Sequence, residues 1–297
     1  MLLFQKASES YLNLSNPAKG LAQLTDLGFT NTNANPGWYY DRNSGTFKQA
    51  AENTIRFSGC GLSYGLLSED GQINLCLYSS ENNAAWADLS TPPTREAATS
   101  CIDGKTAIKI TVAANTAGIR QTVSTFTGSD ETFSVIVEQG SASACDISFF
   151  DATAVSPISR VRLTFATGAI STIVAGATKS FAYKIANTGP NGGALWMFAI
   201  TDTGTIGNSR TLRFFADPAG STGYTYFHHG QLVASPYCSS PIVTTSASVQ
   251  RDSDVIVSTA FIPGYTSAAT IYAEAEVISS RDDVGQYFFG TSNGAQT

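Results

Sequence analysis

Tyr224-Thr225-Tyr226-Phe227-His228-His229-Gly230-Gln231-Leu232 reads as a β-strand. Tyrosine, phenylalanine and threonine suit a pleated, half-buried surface, and Gly230 lets the backbone bend as it leaves the sheet. The sequence then changes character. Pro236 and Pro241 punctuate a Ser/Thr-rich segment that leads through Thr244 and Thr245 to Val255-Ile256-Val257. Proline withholds a ladder donor and favours an extended path, so this segment is expected to run over the outside of the domain that the strand completes.

Upstream of that strand, alternation of apolar and polar residues recurs. Thr106, Ile108, Ile110 and Val112 share one face of an extended chain, while Lys105, Ala107, Lys109 and Thr111 take the other. Phe133, Val135 and Val137 repeat the pattern, as do Val161, Leu163 and Phe165, then Phe181, Tyr183 and Ile185, then Leu212 and Phe214. Leu195-Trp196-Met197-Phe198-Ala199-Ile200 is apolar on both faces, which predicts a central strand buried on both sides. Roughly eight strands at this spacing, joined by Gly/Asn/Asp/Ser turns with no helical pattern between them, predict an all-β, antiparallel sandwich over residues 73–236.

An extended, irregular N-terminal arm, residues 1–72, precedes this body. Asn16-Pro17 offers a cap and a first-turn proline for one short helix over 18–24. Trp38-Tyr39-Tyr40 and Thr46-Phe47 flank Asp41-Arg42-Asn43-Ser44-Gly45 as the strands and turn of a hairpin. With so few apolar residues, the arm is expected to lean on other chains or on the next domain. After the body come an exit linker, 237–257, and a strand pair within 258–297, read from Ala269–Val277 and Gly285–Gly290. That pair is too short to close a second sandwich, so it is an incomplete one or a hairpin completed on a neighbouring subunit.

Composition narrows the function. The 297 residues hold about two domains. The net charge is −6, and the 17 Lys and Arg form no basic run, which excludes a phosphate-tracking nucleic-acid binder. Five cysteines at 60, 76, 101, 145 and 238 show no C-x-x-C pair and are read as small buried thiols. No signal peptide fits the start, and no apolar run reaches the ~20 residues of a membrane helix, so membrane insertion is not expected.

Catalytic chemistry is sparse. His228 and His229 are the only histidines; as successive strand residues they are expected on opposite faces, where they cannot ligate one metal. Glu274 and Glu276 share a strand face at the ~5 Å spacing of a retaining glycosidase, yet they sit in the tail without an enclosing cleft and are read as a solvated pair. Gly192-Gly193 lacks the strand-to-helix setting of a phosphate loop. No enzyme, cofactor or metal is expected. Sugar binding is the positive expectation, because flat aromatic rings stack on pyranose rings. Tyr224, Tyr226 and His228 on one face of the strand are the candidate residues, with Trp196 and, further, Trp86 beside them.

Several short motifs add a family resemblance. Gly230-Gln231-Leu232, Pro241-Ile242-Val243-Thr244-Thr245 and Val249-Gln250-Arg251-Asp252-Ser253-Asp254 follow the aromatic strand. Ahead of the body stand Tyr40-Asp41-Arg42-Asn43-Ser44-Gly45, Ala50-Ala51-Glu52-Asn53-Thr54-Ile55-Arg56-Phe57, Gly65-Leu66-Leu67 and Asn74-Leu75 with Ala85-Trp86. Their order resembles bacteriophage tail and fibre proteins that carry a carbohydrate-binding-module-like jelly roll, followed by the opening of a concanavalin-like or laminin-G-like sandwich. The resemblance covers about residues 30–257 and implies a virion structural protein of tail-fibre, tail-associated or head-decoration type, made in the bacterial cytoplasm. It also implies contacts with other virion proteins through the arm, a homo-oligomer such as a trimer, and a host-surface glycan as ligand. A stand-alone carbohydrate-binding module and a truncated glycan depolymerase are the alternatives.

Overall fold

The computed structural model describes residues 36–54, 71–89, 91–125 and 127–253, with short strand segments of the flanks at 2–3, 5–6, 10–11, 29–32, 56–58, 65–67, 255–258 and 272–273. The helix expected over 18–24, Cys60, Glu274 and Glu276 lie outside the described residues.

Two six-stranded antiparallel sheets form a jelly-roll-like sandwich. The strands are β1 (Ala87–Asp88), β2 (Thr94–Thr99), β3 (Thr106–Thr111), β4 (Gly118–Thr125), β5 (Glu131–Gln139), β6 (Ala144–Asp151), β7 (Ser156–Thr164), β8 (Ala169–Val174), β9 (Lys179–Ala186), β10 (Leu195–Asp202), β11 (Ser209–Phe215) and β12 (Tyr224–Val233). Sheet I runs β1-β4-β11-β6-β7-β8 and sheet II runs β2-β3-β12-β5-β10-β9. The last two strands therefore slot into the middle of the two sheets. β12 is central in sheet II, with β3 on one side and β5 on the other.

Between the sheets lies a core of Ile108, Ile110, Phe133, Val135, Val137, Ile147, Phe149, Val161, Leu163, Phe198, Leu212, Phe214 and Phe227, closed by Trp86. Trp86 meets Phe227 edge-on at 5.0 Å between ring centroids, and its indole N–H donates to the Tyr78 carbonyl. Each such side chain removed from water contributes about 1.5–3 kcal/mol. Gly230 serves this core. A Cβ there would stand 2.7 Å from the Trp86 ring, so glycine is needed for close approach and not for a bend, and the strand continues to Val233.

A second, smaller cluster lies on the outer face of sheet II. The arm hairpin pairs Trp38–Asp41 with Thr46–Gln49, and its Trp38, Tyr40 and Phe47 pack on Cys101, Ile102, Ile136, Ile185 and Leu195. Phe47 also exchanges backbone hydrogen bonds with the 101–103 segment, donating to the Cys101 carbonyl and accepting from Asp103 N–H. Of the two supports open to the arm, other chains or the next domain, the hairpin uses the next domain. This explains β9. Phe181, Tyr183 and Ile185 alternate as expected, but their row faces the arm cluster, whereas Ala182 and Lys184 sit on the inter-sheet side with Ala182 against the main core.

The exit segment stays bound to the sandwich. The Asn74 amide donates to the Ile242 carbonyl, Ile242 N–H donates to Gln231, and the Thr244 hydroxyl donates to the Cys76 carbonyl. From Val249 onward the two flanks pair with one another: Val249–Arg251 with Gln72–Asn74, Val255–Ser258 with Phe29–Thr32, and Tyr272–Ala273 with Leu2–Leu3.

Candidate functional site

The outer face of sheet II holds three of the sequence candidates, Tyr224, Tyr226 and His228. Lys109 stands opposite Tyr226, and Thr111 opposite Tyr224, so both tyrosines share the outer face with Lys109, Glu96 and Glu138. Their rings meet nearly perpendicular, at 81° and 5.5 Å between centroids, and the Lys109 ammonium lies 4.8 Å from the Tyr224 ring centre. Two such rings cannot both offer a face to one pyranose. Trp196 is a correction. It stands opposite core-facing Val137, buried in the inter-sheet core on the other side of the sheet from the tyrosines. Trp86 is likewise in the core.

His228 is a correction as well, because it is fully buried and cannot stack on a ligand. The register explains why. Ile136 faces His229, but Val137 faces Phe227, so His228 is the extra residue of a β-bulge. Alternation resumes out of phase: Phe227, Gly230 and Leu232 line the core, while His229 joins Ile136 on the outer face and His228 reaches Glu138 on that same side. The expectation that the two imidazoles point to opposite faces thus fails at the bulge. Among the described residues no three His, Cys, Asp or Glu side chains converge as metal ligands.

The His228 imidazole is part of a closed network. Cys101 N–H donates to Nδ1, which fixes the neutral tautomer with its proton on Nε2, and Nε2–H donates to Glu138 at 3.2 Å. Glu138 also accepts from Asn191 N–H and Gly193 N–H at 2.8 Å and from the Asn191 amide at 2.9 Å. Burial alone would raise the Glu138 carboxyl, but the donors of His228, Asn191 and Gly193 outweigh it and hold the group below its ordinary value. Burial pulls His228 down, with Glu138 offsetting part of the effect. Gly193 is required here. A Cβ would fall 1.8 Å from the Gln139 carbonyl oxygen, and only glycine lets this amide reach the carboxylate. The Gly192-Gly193 loop does bind an anion, the protein's own. A carboxylate with four donors and no solvent exposure has no acid–base work to offer a substrate.

No known family model matches the chain, and no curated protein sequence matches it. Among solved structures, the chain is similar to the enzymatically active domain of tailspike protein 4 of bacteriophage CBA120, at 15% identity and a TM-score of 0.35, over 54% of this chain and 21% of that one. It is also similar to the CBM22-1 xylan-binding domain of Paenibacillus barcinonensis Xyn10C, at 12% identity and a TM-score of 0.35, over 57% of this chain and 98% of that one. The chain thus spans about a fifth of the tailspike structure it matches.

Sheet I presents a different outer face, which sequence reading did not single out. Cross-strand register aligns Ala87, Arg120, Arg213, Ser148 and Arg160 in one row, with Asp146 and Arg162 in the row beside it. A groove of about 550 Å³ runs along this face between Ala85, Ala87, Phe150, Ala152 and Val155, with Arg120, Arg213, Thr122 and Thr211 on its floor and sides. The Arg213 guanidinium lies on the Phe150 ring, 3.2 Å from its centre. The signal was present: Arg120, Arg160 and Arg213 all stand at outward strand positions. What sequence lacks is the strand order that joins them.

Proposed function

We propose that the chain is a non-enzymatic bacteriophage virion structural protein, of tail-fibre, tail-associated or head-decoration type, in which the jelly roll is displayed as a glycan-binding head. The pairing of the two flanks is the observation that supports this reading most. The chain that enters the sandwich and the chain that leaves it are joined strand to strand at three places, through Gln72–Asn74, Phe29–Thr32 and Leu2–Leu3. Paired flanks of this kind suit a module held by a larger assembly, and the order of short motifs along the chain points the same way.

The assembly role is tested by complementing a phage null for this chain with one lacking residues 1–28, which keeps Phe29–Thr32 and the packed hairpin. The shortened chain is expected to unfold at the same temperature as the full chain yet to be missing from purified particles. A shortened chain that incorporates normally removes the arm's attachment role. Sedimentation of the full chain is expected to give a homo-oligomer, a trimer being the leading expectation, whereas a stable monomer favours a stand-alone binding module.

A further inference from the structure

We propose that the groove across the outer face of sheet I is a binding site for a carboxylate-bearing oligosaccharide, with Arg120 and Arg213 as the residues that engage the carboxylate. The proposal rests on the glycan-binding reading above but names a different face and a charged ligand.

Arg120 and Arg213 stand directly opposite one another on neighbouring strands. Like charges in that relation destabilise a sheet, so the pair is a cost to the fold unless something neutralises it. Nothing in the described residues does. Neither guanidinium has an ion pair, and the Nε of Arg213 is buried without a hydrogen-bond partner. The neighbouring carboxylates are already committed. Asp146, fully buried, accepts from Arg160 at 2.7 Å and Arg162 at 2.8 Å, and Asp151 caps its own turn, accepting from Thr153 and Ala154 N–H and from the Asn208 amide. Asp88 pairs with Arg95. Burial, and then the charges of Arg120 and Arg160, push Arg213 down to about 10, which still leaves it charged at neutral pH.

Size and lining select among anions. About 550 Å³ accommodates two or three sugar rings and falls in the usual range of small-ligand sites. Guanidinium forks match a carboxylate bidentately, the Thr122 and Thr211 hydroxyls, bonded to each other at 3.0 Å, keep one donor and spare lone pairs for sugar hydroxyls, and the alanines with Val155 give an apolar wall. A nucleic acid would need a longer basic track, and the chain carries a net charge of −6. The wall itself is held under strain: Val155, 75% exposed, has φ of 55°, a conformation β-branched residues avoid, and the Asp151 turn contacts keep it there.

Calorimetric titration of the full chain with trigalacturonate, trimannuronate and a sialic acid dimer tests the proposal. At least one acid is expected to bind saturably, with its methyl ester about tenfold weaker or more, and with Arg120→Gln and Arg213→Gln each weakening the acid about tenfold or more at an unchanged unfolding temperature. Arg120 is exposed, so its variant keeps the test alive should the Arg213 change disturb folding. The proposal is overturned if none of the three acids binds, if acid and ester bind equally, if neither arginine variant loses affinity, or if short oligothymidylate binds as tightly as the acids. Binding that survives in Tyr224→Ala and Tyr226→Ala places the ligand on sheet I. Groove binding by a chain missing from particles would keep this inference and sink the virion reading; incorporation without acid binding would do the reverse.

Discussion

The two outer faces of one sandwich differ in kind. Sheet II carries Ile136, Ile185 and Leu195 outward, and the arm hairpin covers them; sheet I carries Arg120, Arg213 and Arg160 outward, beside an open groove. Alternation along a strand tells which residues share a face, but not whether that face meets solvent, ligand or another segment of chain. Here the apolar outer row is covered by the arm hairpin, whereas the charged outer row lines an open groove.

The sharpest way to break the contrast is a charge on each face. Ile136→Lys places an unpaired ammonium beneath the hairpin and is expected to cost ~4 kcal/mol or more, whereas Arg120→Gln is expected to be neutral or slightly stabilising, by up to ~0.5 kcal/mol, through relief of repulsion with Arg213. Urea unfolding of both variants measures the gap. Equal costs would mean that the hairpin does not seal sheet II.

Acid should weaken the covered side next. His229 is fully buried, donating or accepting at Ser80 and Gln231, and burial holds it at about 4. The unfolded chain takes up that proton near pH 6.5 and the folded chain does not, so stability is flat above about 6.5 and falls as pH drops toward 4, by ~3 kcal/mol from His229. His228 shifts in the same direction and adds to the slope. Glu138, whose carboxyl is held low, contributes above its unfolded value near 4.3 and is lost only at lower pH. Thermal midpoints between pH 7 and 4 record this, and His229→Gln is expected to flatten part of the curve.

Glu138→Gln comes after it. The amide keeps the shape but loses the charge-assisted bonds from Asn191, Gly193 and His228, an expected loss of ~2 kcal/mol by urea unfolding. The smallest effect belongs to Val155→Gly in the groove wall. Release of the positive-φ strain and the entropy of glycine nearly offset, so stability should stay within ~1 kcal/mol of the parent while acidic-sugar affinity falls.

Much of the sandwich was legible because its core strands alternate cleanly: Ile108 and Ile110, then Phe133, Val135 and Val137, then Val161, Leu163 and Phe165 all face inward as their period requires. Edge strands β2 and β8, Thr94–Thr99 and Ala169–Val174, are mostly exposed, so they carry little apolar signal. The binding candidates fared differently because one inserted residue, His228, reverses the phase of β12 and carries both histidines to one side. Trp196 was ambiguous for a simpler reason. A strand apolar on both faces does not reveal which face a given tryptophan takes. The arginine row needed strand order, which joins residues 120, 213 and 160 across long sequence separations.

Reactivity of the Cys101 thiol tests the division of the two faces most directly. In a Cys60→Ser background the described thiols at 76, 101, 145 and 238 are all buried, and Cys101 is covered by Phe47 of the arm. Native full-length chain is expected to react with a thiol reagent at Cys101 only slowly, and Phe47→Ser to open that thiol selectively while Cys145 in the inter-sheet core stays protected. Cys101 that reacts as fast with the hairpin intact as with it loosened would contradict the account.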